Sequence, residues 1–237
     1  MIRALVLLAF WAVSIFIVGP VLLLYAFISG NINPLYHISN GLAIFGVRMV
    51  GVRIEVRGME KLQAGHNYIF MANHSSNLDP PILMPTIPGR ASVLVKKEVF
   101  RIPILGAGMK MVDLVPVDRS DRESAIESVN AAIAVLRRGL HMIIFPEGTR
   151  SRDGRLLPFK KGPFHLAIDS GVFVAPVTLL GTYELWPKNA FALQPGTVAV
   201  VFHTPIDPRS YPDRDSLMKA VAETIESALP VERRRED

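Results

Sequence analysis

An α/β fold is what this 237-residue sequence predicts: one mixed-sheet domain flanked by helices, behind an apolar N-terminal helical membrane anchor. Three observations carry that prediction. From Ala4 to Val47 there is no Asp, Glu, Lys or Arg. Beyond residue 50, short β-like apolar runs alternate with helical stretches, the pattern of a sheet covered by helices. Three of those runs end in clusters of polar residues, as strands do when they deliver side chains to one edge of an open sheet.

The chain length suits one large domain with an appendage, and the composition divides it at residue 50: an anchoring segment over 1–50 and the α/β domain over 51–237. Ala4 to Ser29 is long enough to cross a bilayer, which takes roughly 20 residues. Its apolar part is too long for a cleaved signal peptide, and no small-x-small cleavage site follows it. Gly19-Pro20 interrupts the stretch, Gly30 to Pro34 reads as a turn, and Leu35 to Val50 is a second, weaker apolar stretch. Two arrangements fit: a single span with Leu35 to Val50 lying on the surface, or a hairpin that enters one leaflet and returns. The Pro20 break and the Asn-containing turn favour the hairpin. Arg48, Arg53 and Arg57 follow at once, which places the α/β domain on the cytoplasmic side by the basic-loop bias.

Arg53 to Arg57 and Tyr68 to Ala72 read as strands, and Pro80 to Pro85 as the start of a short helix, with Asp79 a good N-cap. Ala91 to Val95 is a strand ending at Lys96-Lys97-Glu98, Ile102 to Gly106 a loop or helix start, and Val112 to Val117 a strand ending at Asp118-Arg119. Ala125, Val129, Ala132, Ile133 and Leu136 recur at helical spacing from Asp121 to Arg138, and Gly139 terminates that helix. His141 to Phe145 is a buried strand, Pro163 to Ser170 a helix, Val172 to Leu180 and Thr197 to Phe202 strands, and Leu217 to Leu229 a final helix. Glu232 to Asp237 reads as a solvated tail.

The absence of cysteine removes disulfides, thiolate metal sites and a cysteine nucleophile together. A formal charge of +5 points to anionic partners. The interleaved aromatic and basic residues of an RNA-binding sheet are missing, so membrane lipid and phosphate rank above nucleic acid, which is not an expected partner.

The chemistry collects at three strand ends. Asn73-His74-Ser75-Ser76-Asn77-Leu78-Asp79 follows the second strand. Histidine is the side chain most easily set to take a proton near neutral pH, and a carboxylate on its second ring nitrogen fixes the tautomer. His74 and Asp79 can meet only if Ser75, Ser76 and Asn77 make a turn. The alternative leaves Asp79 as a cap and His74 as an ordinary loop histidine. The second cluster is Asp118-Arg119. The third, Glu147-Gly148-Thr149-Arg150-Ser151, is a compact anion trap in which Gly148 lets the backbone approach, Arg150 can grip two phosphate oxygens, and Thr149 or Ser151 can add a hydroxyl bond. Arg119, Lys96 and Lys160 can complete the neutralisation of a dianion. The bland alternative pairs Glu147 with Arg150 as a bridge across a turn. Ser75 and Ser76 lack the Gly-x-Ser-x-Gly setting of a nucleophile. His66, His74 and Asp79 lack the spacing of a zinc site, so no metal is expected. His165 and His203 read as structural.

His74-x-x-x-x-Asp79, the Arg119 block, Phe145-Pro146-Glu147-Gly148-Thr149-Arg150 and Val174-Ala175-Pro176-Val177 resemble, in order and spacing, the glycerolipid acyltransferases, and most closely the lysophosphatidate acyltransferases. The stretch from Lys96 to Gly106 is also similar, with Val99 where the family carries Leu. The resemblance covers about residues 50 to 205 and the apolar anchor. It implies transfer of an acyl chain from a thioester, acyl-CoA or acyl-carrier protein, to the sn-2 hydroxyl of lysophosphatidic acid at a membrane, with no further cofactor. His74 would be the general base and Asp79 its orienting group. Arg150, Gly148, Arg119, Lys96 and Lys160 would hold the phosphate, and Glu147, Thr149 and Asn73 would touch substrate or brace the site. The acyl chain would lie in an apolar tunnel. Other readings are a relative acting on glycerol 3-phosphate, another lysophospholipid or an aminolipid; a non-catalytic membrane protein that binds anionic lipid; and a serine hydrolase using Ser75.

Overall fold

The structure is a computed structural model and describes residues 1–118 and 122–235. Ile2–Val13 (α1), a π turn at Ser14–Val18 and Gly19–Ser29 (α2) form one unbroken helix. The expected interruption at Gly19-Pro20 is absent. Proline withholds an N–H and crowds the preceding turn. The wider π turn directly ahead absorbs both effects, with the Gly19 N–H reaching back to the Ser14 carbonyl. The chain reverses at Gly30, at φ 67°. Asn33–Met49 (α3) then runs back beside the first helix, with Pro34 inside its first turn, so the turn is shorter than the sequence implies.

The α/β part follows as Val52–Arg57 (β1), Ile69–Ala72 (β2), Asp79–Thr86 (α4), Ala91–Lys96 (β3), Leu105–Met111 (α5), Val115–Val117 (β4), Arg122–Arg137 (α6), His141–Ile144 (β5), Gly162–Ser170 (α7), Val174–Leu180 (β6), Thr182–Leu185 (α8), Gly196–Phe202 (β7) and Arg214–Ala228 (α9). One seven-stranded sheet runs in the order β1-β7-β6-β2-β5-β3-β4. It is mixed: β6 and β7 are antiparallel and every other pairing is parallel. The carboxyl ends of β2, β3, β4, β5 and β6 therefore share one edge.

Two expectations change here. The strand predicted from Val112 begins at Val115, because Val112 closes α5 and Asp113 turns the chain at φ 68°. Asp113 is held there by Arg90 and Arg138, each at 2.9 Å. The tail predicted to be solvated instead docks through residue 235: Arg233 bonds the Asp153 carbonyl and Glu184, and Arg235 pairs with Glu226 at 2.7 Å.

Side chains alternate across the sheet with the strand period. Phe70 and Ala72 of β2 face one core, with Val198, Val200 and Phe202 of β7 and Ile82 of α4. Ile69 and Met71 face the other, against Ala132 of α6, Phe164 of α7 and Val221 and Ile225 of α9. The N-terminal hairpin belongs to the first of these layers. Leu7 and Val47 are fully buried in the main core, and Arg3 bonds the Val50 carbonyl at 2.8 Å. At the far end Leu22 and Ala26 pack with Tyr36 and Val112. The remaining helix surface, with Ile17, Phe27 and Ile28 among its exposed residues, is apolar, and Ile2–Ser29 is long and apolar enough to cross a membrane. Deletion of residues 1–47 is expected to strip buried side chains worth about 1.5–3 kcal/mol each, and so to lower the melting midpoint by roughly 10 °C or more. Calorimetry of the truncated and full chains in one detergent checks this, and matching midpoints would show the hairpin to be thermally separable.

Candidate active site

At the end of β2 the chain makes the turn that the His74–Asp79 spacing requires. His74 Nδ1 lies 2.7 Å from Asp79 Oδ2. The same oxygen accepts the backbone N–H groups of Ser75 and Ser76, both at 2.8 Å, and Asp79 is fully buried. Asp79 is therefore no cap: it stands inside the first turn of α4 and makes no side-chain cap bond. Three donors on one oxygen fix the carboxylate, and the carboxylate fixes the ring. Phe145, the first residue after β5, stacks beneath the imidazole with centroids 4.1 Å apart. His74 Nε2 has no hydrogen-bond partner among the described residues. This is the arrangement of an oriented base whose free nitrogen can receive a proton.

Glu147 braces this turn from the turn that follows β5. Oε1 accepts the His74 N–H at 2.5 Å and Oε2 the Leu157 N–H at 3.0 Å, and the side chain is buried. Burial, with Asp79 nearby, raises the Glu147 pKa to about 8 against the pull of those two bonds. The alternative Glu147–Arg150 bridge is not formed: Glu147 is spent on the backbone, while Arg150 reaches across and bonds Asn77 Oδ1. Ser151 is also spent, its N–H on the His74 carbonyl at 2.8 Å and its hydroxyl on Asp153 at 2.9 Å.

Gly148 turns at φ 73°, and a Cβ there would stand 3.2 Å from Lys160 Cγ, so Lys160 lies along the turn. Thr149 is exposed and its hydroxyl meets Lys188 Nζ at 3.2 Å. Lys96 is not brought in: it faces solvent and pairs with Glu98 at 3.2 Å. Asn73 is turned away, its amide closing both a 3.0 Å and a 2.7 Å bond with the Leu179 backbone on β6. Arg119 lies outside the described residues.

Ser75 has no bond to the imidazole among the described residues; its hydroxyl lies 3.4 Å from Thr182. Ser76 donates to the Trp186 carbonyl at 2.6 Å and accepts the Leu78 N–H at 3.1 Å. Neither is placed as a nucleophile. His66 precedes β2 and His74 follows it, so the strand separates them. His203 bonds Thr178 at 2.8 Å inside the core, and burial lowers its pKa.

Beside the turn lies an apolar cavity of about 540 Å³, walled by Trp11 and Leu22 of the N-terminal helix, Tyr36 of α3, Met84 of α4 and Leu105 of α5, with Asn77 among its lining residues. Sequence reasoning missed Asn77 as the partner of Arg150, Phe145 as the floor of the imidazole, and Lys188. Only the aromatic residue opening the Phe145–Arg150 block carried a local signal; the other two are distant in sequence.

The Acyltransferase family model matches residues 53–180. Over 198 residues the chain is 36% identical to a 1-acyl-sn-glycerol-3-phosphate acyltransferase of Limnanthes douglasii, covering 83% of this chain and 69% of that one. It is 34% identical over 159 residues to the protein of the same name from Borreliella burgdorferi, covering 67% of this chain and 64% of that one. Its fold is similar to the crystal structure of the 1-acyl-sn-glycerophosphate (LPA) acyltransferase of Thermotoga maritima, with a TM-score of 0.82 at 27% identity over 95% of this chain and 94% of the other.

Proposed function

The chain belongs to the 1-acyl-sn-glycerol-3-phosphate acyltransferase family, and from that premise we propose how its own residues make phosphatidic acid. The enzyme moves a fatty acyl chain from a thioester to the sn-2 hydroxyl of lysophosphatidic acid. His74 Nε2 removes the hydroxyl proton as the oxygen attacks the thioester carbonyl. Asp79 holds the tautomer that leaves Nε2 free and stabilises the imidazolium that forms. The tetrahedral intermediate then collapses: the C–S bond breaks, the ester C–O bond remains, and the leaving thiolate takes the proton from His74. The observation that carries this reading is the 2.7 Å His74–Asp79 contact, with the opposite ring nitrogen unengaged among the described residues.

Arg150, fixed by Asn77 and flanked by Gly148, Thr149 and Lys160, holds the acceptor phosphate. The apolar cavity beside Asn77 receives an acyl chain. The donor is acyl-CoA or acyl-carrier protein. Thiol release from an acyl thioester, measured with and without lysophosphatidic acid, tests the reaction. Release that ignores the acceptor would mean hydrolysis, and acceptor dependence on another lysolipid would reassign the head group.

Arg150→Ala is expected to raise KM for lysophosphatidic acid far more than KM for the thioester. A lost charge-assisted bond is worth roughly 1.5–3 kcal/mol, or about a tenfold to hundredfold loss in kcat/KM. An acceptor without the phosphate is expected to lose little further activity in this variant. Equal proportional losses with both acceptors, together with a lower melting point, would make Arg150 only a brace for Asn77.

Residues 1–50 serve as the membrane anchor and 51–237 as the catalytic unit on the cytoplasmic side. The hairpin lies in one leaflet. In support, contacts with the α/β body occur near both ends of the first helix, at Leu7 and at Ala26, which is incompatible with lipid surrounding it along its whole length. Labelling at Gly30 to Asn33 only from the opposite face of the membrane would reject this arrangement in favour of a span.

A further inference from the structure

The loop between α8 and β7 has a rigid base and a protruding apolar tip. Trp186 is buried, and its indole N–H bonds the Ala190 carbonyl at 2.9 Å. The Ala190 N–H returns to Pro187 at 3.1 Å, and Gln194 closes on Leu185 at 2.9 Å. Between them Asn189 turns the chain at φ 70°. The tip is Phe191, 86% exposed, more than any other large apolar side chain among the described residues. A lone exposed phenylalanine is ordinary. Its setting here is not.

The base of the loop is fastened to the site on two sides. Pro187 bridges Ser76 in the His74–Asp79 turn, and Lys188 bonds Thr149 in the Arg150 turn. Its inner face is continuous with the anchor. Ala190, Trp186 and Leu193 pack in the same core cluster as Ala4, Leu7 and Val50. Gly51, which follows α3, stands against both Pro195 and the Arg3 guanidinium. At this same end of the first helix Met1, Ile2 and Leu5 are exposed. Between Glu184 and Asp207 the sequence carries one charge, Lys188, and no acid, so nothing in the loop repels an anionic surface.

We propose that loop 187–192 is a second membrane contact, with Phe191 seated at the headgroup–acyl boundary of the bilayer beside the mouth of the site. An aromatic side chain in the interface gains apolar burial without needing to span it. Because the loop is tied to both turns that form the site, seating Phe191 sets the height and tilt of His74 and Arg150 above the lipid. A lysolipid then needs to rise only partly out of the leaflet to be acylated. That consequence rests on the acyltransferase reading, whereas insertion itself does not.

The chain has no cysteine, so Phe191→Cys provides a single labelling site for an environment-sensitive fluorophore. In anionic phosphatidylglycerol vesicles the label is expected to be quenched by a lipid carrying a shallow nitroxide and shielded from iodide, relative to the same label on Lys219→Cys of α9. Iodide reaching both labels equally overturns the proposal. So does shielding that appears only when an acidic acyl-carrier protein is added, which would assign the loop to a protein partner. In the kinetic arm, Phe191→Ser is expected to lose about tenfold or more activity toward lysophosphatidic acid presented in vesicles, the scale of one phenylalanine withdrawn from an apolar environment. Activity toward a short-chain, monomeric lysophosphatidate is expected to be unchanged. Equal losses on both substrates overturn the proposal. An inserted label in a parent chain without acyl transfer would instead overturn the catalytic reading and leave the membrane contact standing.

Discussion

His74→Ala is expected to lower kcat by roughly 100-fold to 10,000-fold, the usual contribution of a positioned general base, while shifting the melting point by only a few degrees. The small shift follows from the geometry: Asp79 Oδ2 keeps its two backbone donors, Ser75 and Ser76, when the imidazole is gone. Asp79→Asn is expected to be nearly as damaging to turnover, because an amide cannot receive all three donors and stabilise an imidazolium as well. Steady-state kinetics and a thermal melt on the same preparations check both. Near-normal turnover by His74→Ala would eliminate base catalysis by this residue.

Glu147→Ala is expected to be the most destabilising single change at the site. It leaves the buried-side N–H groups of His74 and Leu157 without their partner, at about 1–3 kcal/mol each. Glu147→Gln is milder, since its amide oxygen can still accept from one of them. The pair also makes a pH prediction. In the folded chain the Glu147 carboxyl holds its proton up to about pH 8, against an ordinary value of 4.5. Between those values the folded state binds more protons than the unfolded one. Stability from this group is therefore fully present below about 4.5 and is lost as pH rises through about 8. Melting curves of the parent across this window are expected to carry a downward contribution that Glu147→Gln removes. Parallel curves for the two chains would place the titration elsewhere.

The His74–Asp79 turn was legible in the sequence because its logic is local. Six residues hold the proposed base, its proposed orienting acid and the turn formers between them, and the strand before them announces where they emerge. The sheet was legible for the same reason, as apolar runs of strand length. What escaped were relations between segments. Nothing near Glu147 says that its carboxyl group would face two backbone amides rather than Arg150, since that depends on how deeply the turn after β5 is buried. Asn73 reads as part of a reactive heptad, yet its neighbour across the sheet, Leu179, claims both ends of the amide. Lys96 stands at the right strand end, but Glu98, two residues on, offers it a nearer partner. Pro20 looked like a break because sequence rules assume an α-helical turn ahead of it, and a π turn is not written in composition. The anchor looked separable because charge vanishes at its boundary, while burial does not respect that boundary.

Leu7 and Val47, sealed in the same core as the sheet, give the bilayer a thermodynamic hold on the catalytic fold. Lipid that binds the hairpin in its docked position binds only the native state, and so acts as a ligand whose occupancy shifts the folding equilibrium by mass action. The converse follows from the same cycle: loosening the core weakens the membrane's grip. For this protein, partition into lipid and resistance to unfolding are two readings of one linked equilibrium, and an enzyme molecule shed from lipid gives up conformational stability along with access to substrate.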